Sequence, residues 1–69
     1  MIINRLSEIM GIKRLKSKDI LSITTISRKT LYNIYNDKTN GIEFETLDQL
    51  CFALDCTPND LFRYVPNSP

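Results

Sequence analysis

One short segment, residues 28–36, concentrates polar side chains whose chemistry suits the edges of DNA bases. Arginine and lysine donate to guanine, asparagine pairs bidentately with adenine, and an aromatic ring contacts the thymine methyl group. At helical spacing these side chains share one outward face: Arg28, Lys29, Tyr32, Asn33 and Asn36. The segment contains no carboxylate, which is favourable beside phosphate because like charges repel. We therefore predict that this face binds DNA, and an ordinary solvated helix surface is the alternative.

Positive charge is also concentrated in the half of the chain that contains this segment. Residues 1–38 carry eight lysines and arginines against three acids, a net charge of +5, whereas residues 39–69 carry one arginine against five acids, a net charge of −4. A basic half joined to an acidic half suits a module that places one face on a polyanion. Basic residues that only solvate helix surfaces would produce the same asymmetry, so the charge alone leaves both interpretations open.

Apolar periodicity and capping residues predict five short helices. The first helix has Asn4 as its cap and ends between residues 11 and 13. Its inward face is expected to consist of Ile2, Leu6, Ile9 and Met10. The second helix begins near Ser17, which is expected to cap it, and only the polar break at residues 24–27 separates it from the third. Because helices joined so closely cross at a large angle, a helix-turn-helix is predicted over about residues 17–36.

The remaining helices complete the predicted core. Ser27 is the expected cap of the third helix, which buries Leu31, Ile34 and Tyr35. The fourth helix is predicted over residues 44–54, with its core stripe at Phe44, Leu47, Leu50, Cys51 and Leu54. Thr57, Pro58 and Asp60 open the fifth helix, and Leu61 and Phe62 dock it. Regular structure is expected to end at Pro66 and Pro69. The sequence thus predicts a compact all-α, five-helix single domain over residues 1–69.

Three stretches of the chain resemble the Cro and phage-repressor helix-turn-helix family, also called XRE, in the same order: ISRKTLYNIYNDKT at 26–39, FETLDQLC at 44–51 and ALDCTPNDLF at 53–62. The resemblance extends from about Asn4 to Val65 and implies a lambda-repressor-like fold. It implies that residues 17–24 lie across the DNA backbone and that residues 27–36 are the recognition helix. Base edges in the major groove would then be contacted by Arg28, Lys29, Tyr32 and Asn33. Phosphates would be contacted by Ser17, Lys18, Ser27, Asn36 and Lys38.

The chain departs from this family at two positions of the helix-turn-helix. The family usually has a small residue where this chain has Leu21, and glycine where it has Thr25. We expect Leu21 to alter how the two helices cross. We expect Thr25 to adopt a backbone conformation that glycine adopts more cheaply.

Several other classes of protein are disfavoured by what the sequence lacks. There is no histidine, glycine-rich phosphate loop or nucleophile motif, so we expect no enzymatic activity. Cys51 and Cys56 alone cannot complete a four-ligand zinc site, and both are expected to stay reduced, with Cys51 acting as a small buried hydrophobe. No apolar run is long enough for a bilayer span, and no signal peptide is evident. The expectation is a cytoplasmic protein without a cofactor, a metal or a membrane partner.

Several apolar residues have no evident place in a five-helix core: Phe52, Ile2, Ile3, Tyr64 and Val65. They either form a dimer or partner surface, or the two chain ends fold back together as short extended segments.

The function we expect is sequence-specific binding of double-stranded DNA by a transcriptional regulator, such as a repressor, that binds as a homodimer. The alternative is an antitoxin or anti-repressor that acts mainly through protein–protein binding.

Overall fold

The computed structural model describes residues 1–66, which form five helices and one pair of short strands. The helices are α1 (Leu6–Lys13), α2 (Ser17–Ile23), α3 (Arg28–Tyr35), α4 (Phe44–Leu54) and α5 (Pro58–Leu61). The strands are β1 (Ile2–Asn4) and β2 (Phe62–Tyr64). The five predicted helices are therefore confirmed, whereas the expected all-α class omits the strand pair. The prediction for Pro69 lies outside the described residues.

The two strands join the ends of the chain in an antiparallel pair, with Ile2 opposite Tyr64 and Asn4 opposite Phe62. Beyond the strands, the Met1 amino group donates to the Val65 carbonyl, and the Val65 amide donates to the Met1 carbonyl at 2.8 Å. The alternative in which the ends fold back together is thus the one that the structure shows. The placement of Ile2 on the first helix was wrong, because its strand partner lies at the other end of the chain and leaves no trace in local periodicity.

One hydrophobic core lies between the helices. Its buried members are Leu6, Ile9, Met10, Ile20, Ile26, Leu31, Ile34, Leu50, Leu54 and Leu61. Besides Ile2, two residues that were predicted to lie in the core are exposed: Phe44 is 88% exposed and Tyr35 is 43% exposed. Phe44 is the first residue of α4 and Tyr35 is the last residue of α3, so each lies at a helix end and not between two buried turns. Predicted core residue Cys51 is half-buried at the edge of the cluster.

Side-chain hydrogen bonds to backbone amides lie at the starts of α1, α2 and α5. The Asn4 side chain accepts the Leu6 amide at 2.8 Å, as expected, although the residue that immediately precedes α1 is Arg5. Ser17 is the first residue of α2 and not its cap; the capping position belongs to Lys16, whose amide donates to the Asp19 carboxylate at 2.8 Å. At α5, the Asp60 carboxylate accepts the Thr57 amide at 2.9 Å, which confirms the predicted opening of that helix.

Charged side chains away from α3 support local structure. The Arg5 guanidinium donates to Glu8 at 2.8 Å and thereby lowers the pKa of that carboxyl. Arg5 also donates to the Asp60 carbonyl at 3.3 Å and so ties α1 to α5. Across residues 1–66, no three potential metal-ligating side chains gather at one point, and no helix has the length and apolar character needed to cross a bilayer.

Candidate DNA-binding face

The turn between α2 and α3 is held by its own threonine and serine side chains. The Thr24 hydroxyl donates to the Ile20 carbonyl at 2.8 Å and closes α2, while Ile26 inserts into the core. The Ser27 hydroxyl oxygen accepts the Thr30 amide at 3.1 Å, which confirms Ser27 as the cap of α3. The start of α3 therefore has a defined position relative to α2, as a helix-turn-helix requires.

Gln49 of α4 provides a further support for this turn. Its side-chain oxygen accepts the Thr25 amide at 2.6 Å and the Thr25 hydroxyl at 3.1 Å. Thr25 does not lie in the left-handed region; within residues 1–66, the non-glycine residues found there are Arg14, Asp37 and Asp55. The expectation of a glycine-like conformation at Thr25 was therefore wrong. Gln49 satisfies the Thr25 amide while the backbone stays in a conformation that threonine adopts without strain.

The face of α3 that turns away from the core is largely open to solvent. Arg28, Lys29 and Asn36 are exposed, and Tyr32 is 55% exposed. A shallow groove of about 210 Å³ between α2 and α3 is lined by Ser17, Leu21, Arg28, Leu31, Tyr32 and Tyr35. The groove brings Ser17, predicted to contact phosphate, beside two residues predicted to contact bases. Leu21 fills the space between the helices, where a smaller residue would leave a deeper groove.

Asn33 lies on the other flank of α3 and is half-buried. It lines a depression of about 180 Å³ together with Thr30, Glu43 and residues 39, 41 and 42 of the following loop. Asn33 is therefore less exposed than we expected for an outward-facing residue. Glu43 also lines this depression, so an acidic residue lies next to α3 although α3 itself contains no acidic residue. The sequence had not indicated this proximity.

Lys38 follows α3 in the sequence, and its side chain contacts Tyr32 of that helix. Its ammonium nitrogen is 5.0 Å from the centre of the Tyr32 ring and 3.4 Å from the Tyr32 hydroxyl. A cation over an aromatic face is attracted by the ring electrons, so Tyr32 holds the lysine near the exposed face of α3. A residue predicted to contact phosphate and one predicted to contact bases are thereby adjacent.

The end of α3 is attached to the rest of the domain through Asn4. The Asn4 amide donates to the Ile34 carbonyl at 2.6 Å and to the Asp37 carboxylate at 3.1 Å. Asp37 follows α3 with a left-handed backbone, φ 57°. The sequence had indicated Asn4 only as a cap of α1, so this positioning role was missed, as was that of Gln49.

The remaining residues predicted to contact phosphate differ in how free they are. Lys18 is exposed at the start of α2. The Ser27 hydroxyl donates to the Thr30 hydroxyl at 2.8 Å, and the Asn36 amide donates to the Tyr32 carbonyl at 2.9 Å. These two side chains are thus already engaged within the protein, as is that of Lys38, whose ammonium group donates to the Tyr32 hydroxyl.

Comparison with known proteins agrees with this architecture. The sequence profile of the Cro/C1-type HTH DNA-binding domain matches residues 5–67 of the 69-residue chain. No curated protein and no solved structure matches the chain. The matched segment contains all five helices, the turn held by Gln49 and the exposed face of α3. The resemblance seen in the sequence is confirmed, and the chain belongs to the Cro/C1-type helix-turn-helix family of DNA-binding domains.

Proposed function

We propose that this DNA-binding domain regulates transcription by binding specific sites in double-stranded DNA, with α3 in the major groove. The observation that carries the proposal is the exposed outer face of α3, the second helix of the helix-turn-helix, on which Arg28, Lys29 and Tyr32 are open to solvent. An α-helix fits the major groove, and only there does each base pair present a distinct pattern of donors and acceptors.

Two kinds of contact are assigned to this face. Base edges are read by Arg28, Lys29, Tyr32 and Asn33. Phosphates are contacted by Ser17, Lys18, Ser27, Asn36 and Lys38. Arg28 is the leading base-reading residue, because its guanidinium can pair bidentately with guanine and it is more exposed than Asn33. Lys18 and Lys38 provide charge that neutralises phosphate and so contribute on every sequence.

The experiment compares one residue of each kind on a site selected from random duplex DNA. Fluorescence anisotropy should show that Arg28→Ala weakens binding to that site by roughly 5- to 150-fold, about 1 to 3 kcal/mol, and relaxes base choice at one position. Lys18→Ala should weaken all duplexes alike and lower the slope of log affinity against log salt by roughly one. Lys13→Ala is the matched control, because the Lys13 side chain instead bonds to the Asp55 carbonyl.

Each variant is first compared with the parent by circular dichroism and thermal melting, so that a folding defect is not mistaken for lost binding. If Arg28→Ala and Lys18→Ala behave identically on a panel of single-base variants, α3 does not read sequence. If the parent protein binds neither the selected nor a scrambled duplex at about 50 mM salt, the proposal fails as a whole.

Binding as a homodimer is a further part of this proposal. Phe52 is 74% exposed and Tyr64 is 66% exposed, and two copies on DNA would read half-sites about one helical turn apart. Sedimentation equilibrium of the parent and of Phe52→Ser, each with and without DNA, tests the arrangement. A parent protein that stays monomeric when free and binds DNA as a single copy excludes it.

A further inference from the structure

The two cysteines lie at the two ends of one backbone motif that terminates α4. Asp55 follows the helix in the left-handed conformation, with φ 50° and ψ 54°. The Cys56 amide donates to the Cys51 carbonyl at 3.0 Å, and the Asp55 amide donates to the Phe52 carbonyl at 3.3 Å. This pair of bonds defines a Schellman motif, in which the side chains of the first and last residues are frequently in contact, and here the two thiols are close enough to hydrogen-bond. In most proteins that contact is hydrophobic, whereas here both residues are cysteines.

The backbone places these cysteines within the reach of a covalent bond. With standard bond lengths, the 3.0 Å hydrogen bond limits the separation of their Cα atoms to at most roughly 6.9 Å. That limit lies just inside the roughly 7 Å beyond which two cysteines cannot be bridged without backbone movement. Both side chains are half-buried, so solvent reaches them.

The thiols also interact electrostatically with each other. Partial burial raises the pKa of Cys51, and it raises the pKa of Cys56 to about 11, with the neighbouring Cys51 adding to the effect. At neutral pH both thiols are therefore mainly protonated, and no disulfide joins them in the structure.

We propose that Cys51 and Cys56 form an oxidisable dithiol that closes to an intramolecular disulfide when it meets a small disulfide such as oxidised glutathione. One cysteine thiolate attacks a glutathione sulfur and releases the first glutathione as a thiolate. The second cysteine thiolate then attacks the protein sulfur of this mixed disulfide and releases the second glutathione. The two cysteine protons pass to the released thiolates, so that two protein thiols are oxidised and one glutathione disulfide is reduced.

The bond would join the end of α4 to the residue that precedes the cap of α5. This end of α4 also receives a hydrogen bond from Lys13 of α1, at the Asp55 carbonyl. The other half of α4 contacts the helix-turn-helix through Gln49 and Thr25. We expect oxidation to raise the melting temperature, since the bond constrains the unfolded chain, and to leave DNA affinity within about twofold, since the face of α3 is untouched.

The test incubates the purified, folded protein with reduced and oxidised glutathione at several ratios, followed by acid quenching and intact-mass analysis. The parent should lose two hydrogens, carry no glutathione and take up no maleimide until it is reduced, after which it should take up two. The double variant Cys51→Ser/Phe52→Cys is the matched control, because it keeps two cysteines close in sequence but moves one to a largely exposed position.

The equilibrium constant for ring closure should be at least about tenfold larger in the parent than in the control, because the motif holds the parent pair together. Single variants Cys51→Ser and Cys56→Ser, which retain one thiol, should stop at the mixed disulfide with glutathione. If the parent also stops at mixed disulfides or forms only linked dimers, or if the control closes as readily, the proposal is overturned.

Discussion

Replacing Asn4 with alanine should reveal how far the position of α3 depends on a residue outside the helix-turn-helix. The substitution removes hydrogen bonds to the Ile34 carbonyl, the Asp37 carboxylate and the Leu6 amide. The Leu6 amide would lose its acceptor, which costs about 1 to 3 kcal/mol for a part-buried group. The Ile34 carbonyl would still accept the Asp37 amide at 3.2 Å, so the loss of its bond from Asn4 should cost only about 0.5 to 1.5 kcal/mol. The bond to Asp37 is exposed and should add little.

These contributions indicate a loss of about 3 kcal/mol in the free energy of unfolding. A domain of this length has a total stability of only about 4 to 10 kcal/mol, so the loss is a large fraction. For so small a protein, 1 kcal/mol shifts the melting temperature by about 4 to 8 °C, and the expected decrease is therefore roughly 12 to 24 °C. Thermal melting followed by circular dichroism, together with urea unfolding, measures both quantities.

Two further variants test whether the loss of stability comes from the hydrogen bonds of Asn4. Asn40→Ala removes an exposed asparagine from the loop that follows α3 and should change stability by less than about 0.5 kcal/mol. Asn4→Asp retains an acceptor for Leu6 but cannot donate to Ile34, and it places a second carboxylate beside Asp37, so it should not restore stability at neutral pH. If Asn4→Ala melts within about 3 °C of the parent, the role given to this side chain is refuted.

Other positions lead to equally specific expectations. Gln49→Ala removes the acceptor of the Thr25 amide and hydroxyl; because these bonds are exposed and water can replace them, the cost in urea unfolding should be about 0.5 to 1 kcal/mol, and an unchanged midpoint would contradict the role of Gln49 in the turn. Phe44→Ser should alter stability by less than about 0.5 kcal/mol, whereas a loss of several kcal/mol would restore Phe44 to the core. Hydrogen bonds from Thr57 lower the pKa of Asp60 in the folded state, so its contribution is present above about pH 4 and disappears as the pH falls through the folded value. Asp60→Asn should therefore be less stable than the parent at pH 7, with a smaller difference at about pH 3; equal stability at both would exclude this linkage.

Features that depend on neighbours in the chain could be predicted from the sequence. The bounds of α4, the cap of α3 at Ser27 and the opening of α5 at Thr57 follow from apolar spacing and from side chains that bond to amides within three residues. The DNA-binding family was also evident, because its pattern runs through three helices and two loops in a fixed order. Of the predicted face, the exposure of Arg28, Lys29 and Tyr32 needed only helical periodicity.

Tertiary structure decided those features whose partners are distant in sequence. The strand pair, the bonds from Asn4 to the end of α3 and the support of Thr25 by Gln49 each join residues at least 24 positions apart. Local spacing contains no information on such partners, since it determines which side chains share a helix face but not what that face meets. For the same reason, Phe44 and Tyr35 fit the apolar pattern and yet remain exposed, and Asn33 fits the outward face and yet is half-buried.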